Sequence, residues 1–347
     1  MPSIPGLDLE ISYHADGSIA WPAPDPNSPF YIVGPALISF SGGRTSALML
    51  FLCLWAHGGE LPTDVFVCFA NTGKEREETL RFVYECGLRW GARIHWLEWF
   101  VDPATPPRKR LPPGDRFREV GFNSASRHGE PFQLLIERRG FLPNVVTRFC
   151  TSALKINTME CFMRAQGVLA WTNAVGLRAD EMNRVFKQLE RNEAGRRGAA
   201  VMPLAKAGIT KAIVLAWWQR QPFDLQLRGY EGNCDLCFLK GEQTLLRLMR
   251  DRPDLAAWWK EQEDLRAGKT RDPKMSQFSA RHSYAELERR VDQAPFLGGL
   301  ELEALDFDAE CGLTCAGDVA RALGDQYNRG CARRSAAEQP QEQGGLL

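Results

Sequence analysis

Leu37–Leu50, LISFSGGRTSALML, changes character twice in a few residues. An apolar run that reads as a buried strand stops at Ser41, Gly42 and Gly43, and a helical pattern begins at once. A glycine-rich turn between a parallel strand and a helix lets backbone N–H groups point at an anion, and the helix adds the positive end of its dipole. The pattern is neither the P-loop ending in GK[ST] nor GxGxxG. An ordinary tight strand-to-helix turn is the alternative reading.

Outward from this stretch the same alternation continues. ALISF, DVFVCFA and ARIHWLEW read as strands, and RTSALMLFLCLWAH and EREETLRFVYECGLRW read as the helices between them. LAWTNAVGL supplies a further buried strand. Continuous apolar strands separated by helices predict an α/β chain with a doubly wound parallel sheet covered on both faces. DPATPPRKRLPPGD reads as a proline-rich insertion, whereas PFQLLIERRG and SALKINTMECFMRAQG return to helical spacing. Beyond Met202 the strands fade, and Trp217, Trp218, Trp258 and Trp259 read as helix packing in a smaller, mainly helical C-terminal part. The expected organisation is an irregular leader over 1–34, a nucleotide-binding domain over 35–201, a helical and cysteine-rich subdomain over 202–332 and a disordered tail over 333–347.

Composition excludes several classes. Lys plus Arg equal Asp plus Glu at 43 each, so no global field favours nucleic acid, a membrane surface or an acidic partner. Locally, eight Arg and Lys meet four acids between Pro106 and Gly140, which suits a solvated basic face or a guide for a nucleic-acid backbone. The N-terminus has neither the basic start nor the apolar centre of a signal peptide, and the longest apolar run falls short of the roughly 20 residues that span a bilayer. The reading is a cytoplasmic protein without a membrane partner. In a reducing compartment the ten cysteines are not expected to form disulfides. Cys53, Cys68, Cys86 and Cys161 lie in apolar or helical patterns and read as core; the closely spaced ones are metal or redox candidates.

Four further motifs fall at the ends of these elements. FANTGKE places Asn71, Thr72 and Gly73 at the edge where open α/β sheets bind ligands. NVVTRFCTSALKINTM carries Arg148, Cys150, Thr151 and Lys155; Arg148 and Lys155 are cations suited to phosphate or sulfate oxygens, and a surface helix start is the alternative. GLRADEMNR carries Arg178, Asp180, Glu181 and Arg184; the arginines suit an anionic substrate, or the acids pair with them structurally. GNCDLCFLKG sets Cys234 and Cys237 in a CxxC, a spacing that lets two thiolates share a metal or cluster.

SGGRTS matches SGGxxS and resembles the pyrophosphate loop of N-type ATP pyrophosphatases. The ordered set SGGRTS, FANTGKE, RFCTSALK, GLRADE and GNCDLCFLKG resembles the PAPS reductase family over Ala36–Gly241. The resemblance implies a Rossmann-like adenine nucleotide α-hydrolase fold with a five-stranded parallel sheet that binds ATP, APS or PAPS. Ser41, Gly42, Gly43, Arg44, Thr45 and Ser46, with Asn71, Thr72, Gly73 and Asp180, would hold the nucleotide, and Lys155, Arg148, Arg178 and Arg184 would supply cations.

It also implies a 4Fe-4S cluster on Cys150, Cys234 and Cys237. Thr151 stands where family members with a cluster have a second adjacent cysteine, so a fourth ligand is expected from Cys311 or Cys315. A zinc site of Cys234, Cys237, Cys311 and Cys315 is the alternative. ECGLT, Glu310–Thr314, is similar to the C-terminal Glu-Cys-Gly-Leu-His of sulfonucleotide reductases, which would make Cys311 a nucleophile, but Thr314 replaces the histidine. The intact SGGxxS favours ATP with Mg²⁺. The expected activity is therefore cleavage between the α and β phosphates to adenylate an unidentified acceptor, in sulfur-transfer or nucleic-acid modification chemistry with a sulfur-donor protein. PAPS or APS reduction with a thiol reductant is the alternative.

Overall fold

The computed structural model describes residues 7, 9–106, 109–193, 199–270, 272–279 and 281–293. In chain order the strands are β1 (Ala36–Ser39), β2 (Val65–Asn71), β3 (Ile94–Trp99), β4 (Phe117–Val120), β5 (Thr172–Val175) and β6 (Ala200–Val201). The helices are α1 (Arg44–Ala56), α2 (Glu77–Trp90), α3 (Glu130–Arg139), α4 (Thr158–Ala165), α5 (Met182–Glu193), α6 (Pro203–Lys206), α7 (Lys211–Trp218), α8 (Glu242–Asp251), α9 (Ala256–Arg266) and α10 (Tyr284–Arg290).

These strands form a six-stranded sheet in the order β4-β3-β2-β1-β5-β6. Every pairing is parallel except β3 with β4, which is antiparallel. From β1 the chain moves outward through β2 and β3, then returns to place β5 on the other side of β1, so the strand order reverses between β1 and β5. In open α/β sheets the ligand crevice lies at that reversal, beyond the carboxyl ends of the strands.

The expected α/β class with parallel strands is present, with one difference in the sheet. The proline-rich insertion returns as β4, which adds an antiparallel edge to the expected five parallel strands. Arg118 and Glu119 in β4 are exposed, so the apolar run that marks a buried strand is missing there.

Burial follows the sequence pattern. Along α1 every residue from Thr45 to Ala56 except Trp55 is buried, the behaviour of a helix covered on all sides. By contrast α2 buries only Thr79, Leu80, Phe82, Val83, Cys86 and Trp90, one face of an amphipathic helix. Phe51 of α1 meets Trp217 of α7 with ring centroids 5.0 Å apart, and Trp217 and Trp218 are buried. Cys53, Cys68, Cys86 and Cys161 are buried as expected, and burial pushes the Cys53, Cys68 and Cys86 thiols up.

A second apolar cluster gathers Phe132, Phe149, Leu236, Phe238, Trp259, Phe278 and Tyr284 from α3, α9, α10 and the segments around them. It carries the GNCDLCFLKG segment to the carboxyl edge of the sheet. Among the described residues no helix is long and apolar enough to cross a membrane.

Candidate nucleotide site at the carboxyl edge of the sheet

The turn after β1 is held largely by its own residues. Ser46 Oγ accepts the Ser41 N–H at 3.2 Å, donates to the Gly43 carbonyl at 3.0 Å and lies 2.9 Å from Ser41 Oγ. Gly42 has φ +78°, and a Cβ there would stand 2.7 Å from Thr79 Cγ2 of α2, so both conformation and space require glycine. The Ala47 N–H reaches back to the Gly43 carbonyl and closes the first helical bond. The N–H groups of Gly42, Gly43, Arg44, Thr45 and Ser46 have no acceptor among the described residues. Together with the α1 dipole they form an anion-binding nest.

The turn after β5 lies against this one. A Cβ on Gly176 would come within 3.2 Å of Ser46 Cα, and Arg178 Nη1 donates to Thr45 Oγ1 at 3.1 Å. Arg178 is buried and its Nε binds Asp180 Oδ1 at 3.0 Å, while its backbone N–H donates to Glu181 Oε2 at 3.0 Å. Arg184 is paired with Glu181. Of the two readings of GLRADEMNR, the acids do pair with the arginines, and Arg178 alone of the two is tied to the β1 turn. Arg44 faces elsewhere: its Nε and Nη2 bind Asp224 at 2.7 and 2.6 Å, so only its backbone belongs to the nest.

At the end of β2, Asn71 is fully buried. Its Nδ2 donates to Glu98 Oε1 at 2.7 Å and its Oδ1 accepts the Gly73 N–H at 3.0 Å. Glu98, at the end of β3, also accepts from the Ser126 N–H and hydroxyl and from Arg118. Thr72 donates its N–H and hydroxyl to Glu75 Oε2 at 2.7 and 2.8 Å, and Lys155 Nζ lies 3.3 Å from Glu75 Oε1. Lys155 and Cys150 belong to a π-helical segment, Cys150–Asn157, where the sequence spacing reads as ordinary helix. Arg148 stands just before that segment, half-buried, its carbonyl accepting the Thr151 N–H.

The CxxC segment is laid across both loops. Its backbone pairs with FANTGKE: the Arg76 N–H donates to the Asn233 carbonyl at 2.8 Å and the Asp235 N–H to the Lys74 carbonyl at 2.9 Å. Lys74 Nζ and Asp235 Oδ2 form a buried pair at 2.7 Å, Trp259 Nε1 donates to Asp235 Oδ1 at 2.8 Å, and Lys74 lies over the Trp258 ring. Burial pushes the Asp235 carboxyl up against the pull of Lys74. The neighbouring Cys234 thiol first, then the Leu239 N–H, Lys240 and Lys155, holds Cys237 below the usual thiol range, at about 6. Cys234 is pushed up by the Cys237 thiol and by burial.

Cys150, like Cys234, is partly buried and packs against the second apolar cluster. Among the described residues no group of three or more His, Cys, Asp or Glu side chains stands together as a metal site. Cys311 and Cys315, named for the fourth cluster ligand, the zinc alternative and the nucleophile, lie outside the described residues.

Sequence reasoning passed over Glu75, Glu98, Asn233 and Asp235 as site residues. Three of them sit inside quoted motifs, where nothing in their chemistry set them apart. Glu98 did carry a signal, a lone acid closing the buried strand IHWLEW.

The fold and this site define an α/β chain with a glycine-rich anion nest at the strand-order reversal and a cysteine hairpin above it. It belongs to the same family as the uncharacterized nin region protein ORF290 of Escherichia phage lambda, with 31% identity over 221 residues, 63% of this chain and 71% of that protein. It is also similar to an uncharacterized protein of Methanocaldococcus jannaschii, at 23% identity over 65% of this chain and 40% of that protein. No family model matches the chain.

Proposed function

We propose that this chain is an ATP-binding enzyme of the PAPS reductase type, with a Rossmann-like adenine nucleotide α-hydrolase fold, that cleaves ATP between the α and β phosphates and adenylates an acceptor. The observation that carries the reading is the run of unpartnered N–H groups from Gly42 to Ser46 at the point where the strand order reverses. Donors fixed before the reaction stabilise charge that builds on the leaving pyrophosphate without reorganising. Arg178, held on Thr45, adds a cation beside the nest. Mg²⁺, were it to accompany the nucleotide, would supply further neutralisation of phosphate charge. Lys155, Arg148 and Arg184 are the further candidate cations. The acceptor fits sulfur-transfer or nucleic-acid modification chemistry, with the basic Pro106–Gly140 segment as a guide for a nucleic-acid backbone.

Cys234 and Cys237 would supply two thiolates to a 4Fe-4S or zinc site; among the described residues no group of three or more His, Cys, Asp or Glu side chains stands together. The test is calorimetric titration with Mg·ATP, PAPS and APS, together with iron, sulfide and zinc analysis of anaerobically prepared protein. Mg·ATP is expected to bind more tightly than PAPS or APS. Thioredoxin-dependent release of sulfite from PAPS or APS, lost in Cys311→Ser, would replace the ATP reading with sulfonucleotide reduction.

A further inference from the structure

One hydrogen bond joins the cysteine hairpin to the phosphate loop. Asn233 Nδ2 donates to the Ser41 carbonyl at 2.9 Å, across 192 positions of sequence. The peptide group between Ser41 and Gly42 is planar, so anchoring that carbonyl also fixes where the Gly42 N–H points. Gly42, on one side of that plane, carries no Cβ to confine its φ, so the plane turns over more cheaply than one set between two residues with side chains. A plane turned over in this nest would offer an incoming phosphate a carbonyl oxygen in place of an N–H. Ser46 fixes the Ser41 N–H and the Gly43 carbonyl. The Ser41 carbonyl is left to Asn233.

Asn233 is well placed to hold it. Its own carbonyl takes the Arg76 N–H at 2.8 Å, and the next residue, Cys234, pairs with Glu75. The amide is therefore carried on backbone fixed to the start of α2 and not on a free loop. A Cβ built on Gly43 would have the Asn233 amide as its nearest neighbour, at 3.4 Å.

We propose that Asn233 is a positioning residue for the phosphate loop, holding the Ser41–Gly42 peptide in its anion-binding orientation and making the loop depend on the hairpin that carries Cys234 and Cys237. This rests on the nucleotide reading given above. The benefit is preorganisation: the nest is set before the phosphate arrives. It follows that any displacement of Cys234 is passed to Ser41 through one intervening side chain.

The experiment measures binding of Mg·ATP and of inorganic pyrophosphate to wild type, Asn233→Ala and Asn233→Asp. Amide hydrogen exchange of the loop is followed in the ligand-free proteins. Asn233→Ala is expected to weaken both ligands at least tenfold and to speed exchange of the Ser41 and Ala47 amides, whose N–H groups bond to Ser46 and Gly43. Asn233→Asp, which keeps the shape and sets an acceptor against the carbonyl, should do the same or worse.

Wild-type affinity and exchange in both single variants would overturn the inference alone. A wild-type protein that binds neither ligand overturns the nucleotide reading, and this inference with it.

Discussion

The Ser41–Ser46 loop and the layer around Cys234 and Cys237 lie side by side but are built in different ways. The loop is set largely by neighbours in sequence, Ser46 bonding back to Ser41 and Gly43, with Asn233 as a distant tie to the Ser41 carbonyl. The hairpin is held from a distance. Lys74 pairs with Asp235, Lys155 with Glu75, Lys240 donates to the Tyr230 carbonyl, and Glu263 accepts the Phe278 and Tyr284 N–H groups. A buried ion pair rarely adds net stability over a well-packed apolar pair, yet losing one partner is costly. Charged groups are thus retained inside the apolar layer that adjoins the thiols.

The sharpest way to break this contrast is at Asp235. Replacing it with Leu leaves the Lys74 ammonium buried without its counter-charge and the Trp259 N–H without an acceptor. The expected loss is about 3–5 kcal/mol of unfolding free energy, measured by denaturant titration. Lys74→Met added to Asp235→Leu should restore most of it. A single variant as stable as wild type would remove the claim that this layer depends on paired charge.

Glu263 tests the same layer through pH. Burial raises its carboxyl to about 7 from an ordinary 4.5, against the pull of the Tyr284 and Phe278 N–H groups. A group raised in the folded state contributes stability that is complete below its unfolded value and is lost as pH rises through its folded value. Wild type should therefore lose stability relative to Glu263→Gln between about pH 4.5 and 7, by about 1–2 kcal/mol after allowing for partial exposure. Parallel stability curves for the two proteins would show that the carboxyl does not titrate there.

In the loop, two neighbouring glycines should respond differently. Gly42→Ala meets both the left-handed backbone and Thr79 at 2.7 Å and should cost about 1–2 kcal/mol or more. Gly43→Ala, in extended backbone with its nearest neighbour at 3.4 Å, should change stability by no more than about 0.5 kcal/mol. Melting curves of the two variants compare them directly, and equal costs would mean that the loop is not set by its own backbone.

Much of this architecture was legible because it depends on local pattern. Parallel strands covered on both faces need unbroken apolar runs, so β1, β2 and β3 stood out, and a turn between strand and helix needs glycine, so Ser41–Ser46 did too. β4 escaped because its Arg118 and Glu119 are exposed, and β6 because it has only two residues. The readings of GLRADEMNR could not be separated from sequence, since an arginine beside an acid suits either a ligand or an ion pair. Here the acids hold the arginines and Thr45 orients Arg178.

By itself the sequence determined the α/β class, the order of the motifs and the backbone freedom of the first turn, all of which follow from period and residue type over a few positions. Tertiary structure alone decided that Arg44 turns away to Asp224, that Glu98 gathers Asn71, Ser126 and Arg118, and that Asn233 reaches back to Ser41. Those contacts join residues tens to nearly two hundred positions apart. A side chain's partner at such a separation is set by how the sheet stacks its loops at one edge, which no local pattern encodes.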